Sequence, residues 1–348
     1  MASNMMNKDI ELRSDTFTLP DEGMRRAIYE AEVGNAGFGE DPSVRRLEEK
    51  VAGYFGVDAG VFLPSATMAG QIAIRVWCRP GDLVIIEEFG HGYYFETGAM
   101  AAIAGAQARL VKGTQGILDP QDIEAVIVHP ENNSARSSLL VLENTSNFGG
   151  GTIYPRETLD RIFTLGRERR LPIHIDGARV WNAIVATGSA APGLIPAEGS
   201  MSVCFSKGLG APMGALLLGS ADFISEARRI QKMLGGVMRQ VGFMAAGAFY
   251  GFHHNLDRLA EDHANAALLA RALAPNPALE IDLETVQTNI VYLKVKEGTA
   301  RASRLIGEMN ACGIKAFNLG PLVRLVTNLN VNRSDCEYAA ATINKLTA

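Results

Sequence analysis

The stretch 172–219 constrains this chain more than any other. It opens P-I-H-I-D-G-A-R, passes through an irregular middle, and closes M-S-V-C-F-S-K-G-L-G-A-P-M-G-A-L-L-L-G. Two short apolar runs each end on polar residues: Asp176 and Arg179 after the first, Ser206 and Lys207 after the second. Short buried strands of this kind suit a mainly parallel sheet covered on both faces, whose ligands sit beyond the carboxyl ends of the strands. An acid, a guanidinium and an amine are therefore expected to meet in one crevice. Lys207 stands among apolar and glycine neighbours, so the sequence predicts an amine shielded from water and able to attack a carbonyl.

A shielded amine with a carboxylate one strand away is what pyridoxal phosphate (PLP) requires. The lysine holds the cofactor's aldehyde. The acid keeps the pyridine nitrogen protonated, so the ring accepts electrons from a bond broken at an amino acid's α carbon. A purely structural Asp176–Lys207 ion pair is the competing reading.

The rest of the chain sets the scale. Its 348 residues, 47% of them hydrophobic, suffice for two domains. A net charge of -5, with no basic run, argues against nucleic acid or an acidic membrane surface as partner. No apolar run is long enough to span a bilayer, and the first ten residues lack the apolar core of a signal peptide. The four cysteines are scattered, without metal-ligand spacing, so no metal site and a reducing, cytoplasmic setting are expected. Strand and helix signals alternate up to about residue 219, giving an α/β domain. Expected helices include one capped by Ser43, one around 94–105, a long one from 240 to 274, and a last one capped by Ser334. A polar N-terminal arm and a large cofactor-binding domain are assigned to 1–251, and a smaller α+β domain to 252–348.

Other candidates lie near predicted strand ends. The turn P-S-A-T-M opens a helix, where backbone N–H groups beside Ser65, Ala66 and Thr67 make a phosphate cradle or simply an ordinary cap. His91 is placed either to lie flat on an aromatic cofactor and act as a base, or merely to pack among tyrosines. Arg179 and Arg324 are candidates to grip a substrate carboxylate with two parallel hydrogen bonds. Arg239 is placed to reach a phosphate across a subunit boundary or to sit on the surface. His174 reads as a core residue, and His129, His253, His254 and His263 receive no role.

Taken together, L-R-S-D-T, G-E-D-P, P-S-A-T-M, E-N-T-S-N, H-I-D-G-A-R, S-K-G-L-G-A-P-M-G, G-G-V-M-R-Q and R-L-V-T resemble the L-threonine aldolases. These are fold-type I PLP-dependent enzymes, and the likeness runs in order over nearly the whole chain. It implies Lys207 bonded to the cofactor, Asp176 on the pyridine nitrogen, His91 on the ring, and Ser65, Ala66 and Thr67 at the phosphate with Arg239 near. It further implies Ser14, Arg179 and Arg324 at the substrate carboxylate, and a homotetramer built as a dimer of dimers with shared sites.

Four positions depart from the family pattern: Phe38 for tyrosine, Ser146 for histidine, Ala66 for glycine and Asn328 for histidine. The first two fall where family members handle the substrate's hydroxyl, so a pocket more apolar beside Phe38 and roomier beside Ser146 is expected. The resulting expectation is an aldolase that cleaves a β-hydroxy-α-amino acid to glycine and an aldehyde. Racemisation or β-elimination on the same scaffold is the alternative. A PLP-binding protein without catalysis is the third reading.

Overall fold

The computed structural model describes residues 9–128 and 133–348; His129 lies outside them. Thirteen strands are described: β1 Ile10–Glu11, β2 Ala59–Leu63, β3 Leu83–Glu87, β4 Gln107–Val111, β5 Ser137–Glu143, β6 Ile173–Gly177, β7 Gly199–Cys204, β8 Ala215–Gly219, β9 Leu279–Glu280, β10 Ile290–Val295, β11 Ile314–Lys315, β12 Phe317–Leu319 and β13 Leu322–Val326. Seven form one sheet in the order β2-β8-β7-β6-β5-β3-β4. Only β8 runs antiparallel to its neighbours. A short link suffices between β7 and β8 because antiparallel neighbours need no crossover helix. Every residue of β7 and β8 is buried, as their unbroken apolar character requires when helices cover both faces. Leu63 and Cys204 both pair with Ala215, so β2 and β7 end on the same edge of the sheet.

A second sheet, β12-β13-β10-β9, is antiparallel and carries its own core, built from Leu269, Leu293, Leu305, Leu325 and Ile343 among others. Leu12 belongs to this core. β1 pairs with β11, and the Leu12 carbonyl accepts from Val326 N at 2.8 Å. The start of the N-terminal arm, as far as Leu12, therefore packs with the C-terminal sheet. Two apolar anchors, Ile10 and Leu12, outweigh the arm's polar character. Beyond Leu12 the arm turns so that Ser14 and Asp15 reach the edge of the large sheet.

Local chemistry corrects several expected helices. Asp41 caps Pro42–Phe55, its carboxylate taking Val44 N–H at 3.1 Å, while the Ser43 hydroxyl donates to Glu32 O. Proline at the first helical position favours that boundary. Asn332 caps the last helix in a reciprocal box with Asp335, in place of Ser334. The expected 240–274 helix is two, Gly242–His254 and Leu259–Leu273; at the break, Asn255 Nδ2 donates to Leu209 O at 2.9 Å. The expected helix over 94–105 is a single turn, His91–Tyr94, and a π-helical turn, Met100–Ala104. Thr97 and Gly98, at φ 55° and 76°, separate them. No helix among the described residues is long and apolar enough to cross a membrane.

Candidate active site

Asp176 ends β6 and Lys207 follows the end of β7, the adjacent strand, so both stand at one sheet edge. Asp176 Oδ1 accepts from Ala178 N at 3.1 Å. Lys207 is half-buried and not enclosed as expected. It pairs with no carboxylate among the described residues, which leaves its amine free for covalent chemistry. Beneath Asp176 on the same strand face, His174 is a core residue with Nδ1 2.9 Å from Ser200 Oγ. Burial holds its pKa down at about 4, so the ring is neutral.

His91 opens the one-turn helix after β3. Its backbone N–H donates to Glu143 Oε2 at 2.9 Å, and Asn147 N donates to the other oxygen at 2.9 Å. One buried carboxylate thus ties the His91 turn to the loop after β5. Burial, and then Asp176 on the neighbouring strand, raise the Glu143 pKa. His91 Nδ1 lies 3.4 Å from Glu96 Oε1. That bond raises the imidazole pKa, burial opposes it, and the Asp176 and Glu143 charges add to the rise while Lys207 subtracts. His91, Asp176 and Lys207 therefore share one electrostatic neighbourhood. Neither Glu143 nor Glu96 was singled out from sequence, though Glu143 heads the E-N-T-S-N motif.

The arginines take different positions. Arg179, only 6% exposed, donates Nε and Nη2 to the two oxygens of Asp15 at 2.8 and 2.7 Å. Burial pushes the Asp15 carboxyl up, but the Arg179 charge and hydrogen bonds overcome this and lower it to about 2. The fork expected to grip a substrate is occupied by Asp15, and only Nη1 remains, 3.4 Å from Asn147 Oδ1. Arg324 projects inward from β13. It donates Nη1 to the same Asn147 oxygen at 3.1 Å and Nη2 to Arg13 O at 3.1 Å. Its Nε is buried with no partner among the described residues. Burial, and then the Arg179 charge, lower the Arg324 pKa from an ordinary guanidinium's. A buried cation with an unused donor is suited to a carboxylate. Ser14 lies beside them, its hydroxyl taking Thr16 N–H at 3.3 Å and donating to Asp15 at 3.4 Å.

Helix Ala66–Trp77 starts past the end of β2, on the same edge as Lys207. Ser65 caps it, accepting from Met68 N at 3.1 Å, and Ser65 and Thr67 are exposed with Ala66 half-buried between them. An amine, a carboxylate and an open helix N-terminus along one sheet edge match the aldehyde, ring nitrogen and phosphate of PLP. The donor set fits the cofactor.

A profile of the Beta-eliminating lyase family matches residues 11–296. The chain is 39% identical, over 95% of its length, to the low-specificity L-threonine aldolase of Escherichia coli strain K12, 97% of which is covered. The chain belongs to the beta-eliminating lyase family. Low-specificity L-threonine aldolase 1 of Arabidopsis thaliana is 35% identical over 96% of this chain and 95% of its own. The solved threonine aldolase of Leishmania major superposes with a TM-score of 0.84 at 19% identity, covering 97% and 99% of the two chains. These relatives bear out the likeness read from the motifs, and the fold is that of the fold-type I PLP-dependent enzymes.

Within this family member, three expected site residues stand apart. Ser146 is buried, its Oγ accepting from Gly149 N at 3.1 Å. Gly116 packs so closely on it that a Cβ there would lie 1.9 Å from that oxygen. Its neighbour Asn147, unremarked in sequence, is the residue that reaches both arginines. Phe38, 77% exposed, and Arg239 line a different cleft of about 620 Å³ with Asn35, Gly37 and Lys232. Asn328, the fourth departure, holds the arm by donating to Glu11 O at 2.9 Å.

Proposed function

We propose that the chain is a PLP-dependent carbon–carbon lyase that cleaves a β-hydroxy-α-amino acid, threonine among its candidates, to glycine and an aldehyde. The observation that carries this is the placement of Asp176 and Lys207 at adjacent strand ends, together with Arg324, which keeps an unused buried donor. Lys207 would hold the cofactor's aldehyde, Asp176 its ring nitrogen, and the helix start at Ser65, Ala66 and Thr67 its phosphate. When bound, the cofactor supplies an electron sink for the α–β bond of the amino acid. Arg324 holds the substrate carboxylate, with Ser14 near, and thereby sets which α-carbon bond is presented. Arg179, held by Asp15, fixes Asn147 and through it the angle of Arg324. His91 takes the proton from the β-hydroxyl, a role that the Glu96 hydrogen bond supports by raising its basicity. Lys207 Nζ returns a proton to Cα to give glycine.

Phe38 and Arg239, exposed at a shared cleft, are proposed to complete the site of a partner subunit in a dimer, two of which would make a tetramer. Reduction with borohydride in the presence of PLP should label wild type at Lys207 and leave Lys207→Ala unlabelled. Aldehyde should appear from threonine, allo-threonine or phenylserine with wild type only. Silence on all three overturns the reading. Ser146 favours one rival, since a buried hydroxyl is no base: racemisation or β-elimination, which would exchange the α proton into heavy water without releasing aldehyde.

A further inference from the structure

The two faces of β6 and β7 differ in chemistry. Ile173, Ile175, Met201 and Val203 enter the main core from one face. His174, Asp176, Ser200 and Ser202 share the other, since His174 pairs with Ser200 and Asp176 with Ser202 in parallel register. Helix Ala66–Trp77 lies over this second face, and His174, Ser200 and Ser202 are all buried there. Polar groups in so dry a place need hydrogen-bond partners.

Only some of them have one. Trp77 Nε1 donates to Ser200 Oγ at 3.0 Å, and Ser200 Oγ lies 2.9 Å from His174 Nδ1. An indole N–H can only donate, so Ser200 accepts from it and keeps its own proton to give. Giving that proton to Nδ1 leaves the imidazole N–H at Nε2. The opposite tautomer would strand two buried groups, the Ser200 O–H and a bare Nε2. His174 Nε2 and Ser202 Oγ are buried with no partner among the described residues.

Both stand near one anion. Asp176 is two residues from His174 on the same strand face, and beside Ser202 on a neighbouring strand about 4.8 Å away. Burial lowers the His174 pKa and the Asp176 charge works against it, so the two side chains sense each other. Buried N–H and O–H dipoles act on a charge at such range because little water screens them.

We propose that His174 and Ser202 are positioning residues for Asp176. Donors passed along Trp77, Ser200 and His174 present an N–H to the Asp176 side of the face, with the Ser202 hydroxyl beside it. Together they keep the carboxylate's charge in place for the ring nitrogen of PLP. This rests on the cofactor reading above.

The test follows cofactor binding in the purified full-length protein and does not depend on turnover. Two quantities are read: the PLP dissociation constant by equilibrium dialysis, and the pH midpoint of the bound cofactor's visible absorbance. His174→Leu should weaken PLP about tenfold, the effect of one lost hydrogen bond to a charged group. It should also raise the midpoint, because a weaker positive charge at the ring nitrogen opposes a second one at Lys207 less. His174→Gln can place an amide N–H where Nε2–H stands and should stay near wild type. Ser202→Ala, a change of one atom, should weaken PLP about threefold and raise the midpoint less. It carries the test if a His174 variant does not fold. Wild-type values in His174→Leu and Ser202→Ala, with only the melting temperature lowered, overturn the proposal. A His174→Gln protein as impaired as His174→Leu overturns the donor at Nε2. Should wild type take up no PLP, or Asp176→Asn leave both quantities unchanged, the cofactor reading itself falls.

Discussion

Arg179 and Arg324 reach the same oxygen, Asn147 Oδ1, from different sheets, at 3.4 and 3.1 Å. Arg179 comes from the large sheet and has closed its fork on Asp15, which is fully buried and also accepts from Asn289 Nδ2 at 3.2 Å. Arg324 comes from the small sheet and keeps a buried Nε without a partner. The residue type is identical and the burial similar, yet one guanidinium is satisfied and the other is not. A buried cation that has met its counter-ion has little left to offer a ligand. One that lacks it is held ready, at a cost in desolvation that a substrate carboxylate would offset. The arm explains the asymmetry, since it delivers Asp15 to Arg179 and only a backbone carbonyl, Arg13 O, to Arg324.

The contrast breaks most severely at Asp15. Asp15→Ala strands Arg179 in the interior and should cost about 3–5 kcal/mol of unfolding free energy, read by urea denaturation. Arg324→Gln should instead leave the melt close to wild type while lowering kcat/KM by about 30- to 1,000-fold, equivalent to about 2–4 kcal/mol. If the stability loss falls on Arg324 and the kinetic loss on Asp15, the roles are reversed.

A third measurement probes the buried face beneath Asp176. His174 is held near pKa 4 in the fold, against about 6.5 in an unfolded chain. The stability from burying it neutral is full above pH 6.5 and is lost as pH falls toward 4, amounting to about 3 kcal/mol. Against a His174→Gln variant, the wild-type advantage should shrink over that window. The smallest effect is expected at Glu96→Gln, which removes the leading cause of the raised His91 pKa. The acidic limb, which reports deprotonation of His91 as the base, should move to lower pH in kcat/KM profiles with little change in the plateau.

Much of the site was legible in sequence because it sits where strand patterns end. Apolar runs closing on Asp176 and on Lys207 place both at one edge of a parallel sheet. That follows from the rule that such strands are buried on both faces and open only at their carboxyl ends. The helix start at Ser65 was legible for the same reason. Local capping was read less well, as at Ser43 and Ser334, because several hydroxyl, amide and carboxylate side chains near a helix start compete for the same N–H groups.

Sequence alone determined the sheet class, the strand ends that carry the chemistry, and the family likeness, all of which rest on local pattern and residue type. Tertiary structure alone decided the pairings between distant segments. Asp15 meets Arg179 across 164 positions, and Asn147 meets Arg324 across 177. It also decided that Phe38 and Arg239 line a cleft with Lys232 and that Ser146 turns into its own loop. A side chain's residue type says what it can bond. Which partner it meets, and whether a donor is left over, depends on how two sheets and an extended arm pack, and no periodicity in the chain encodes that.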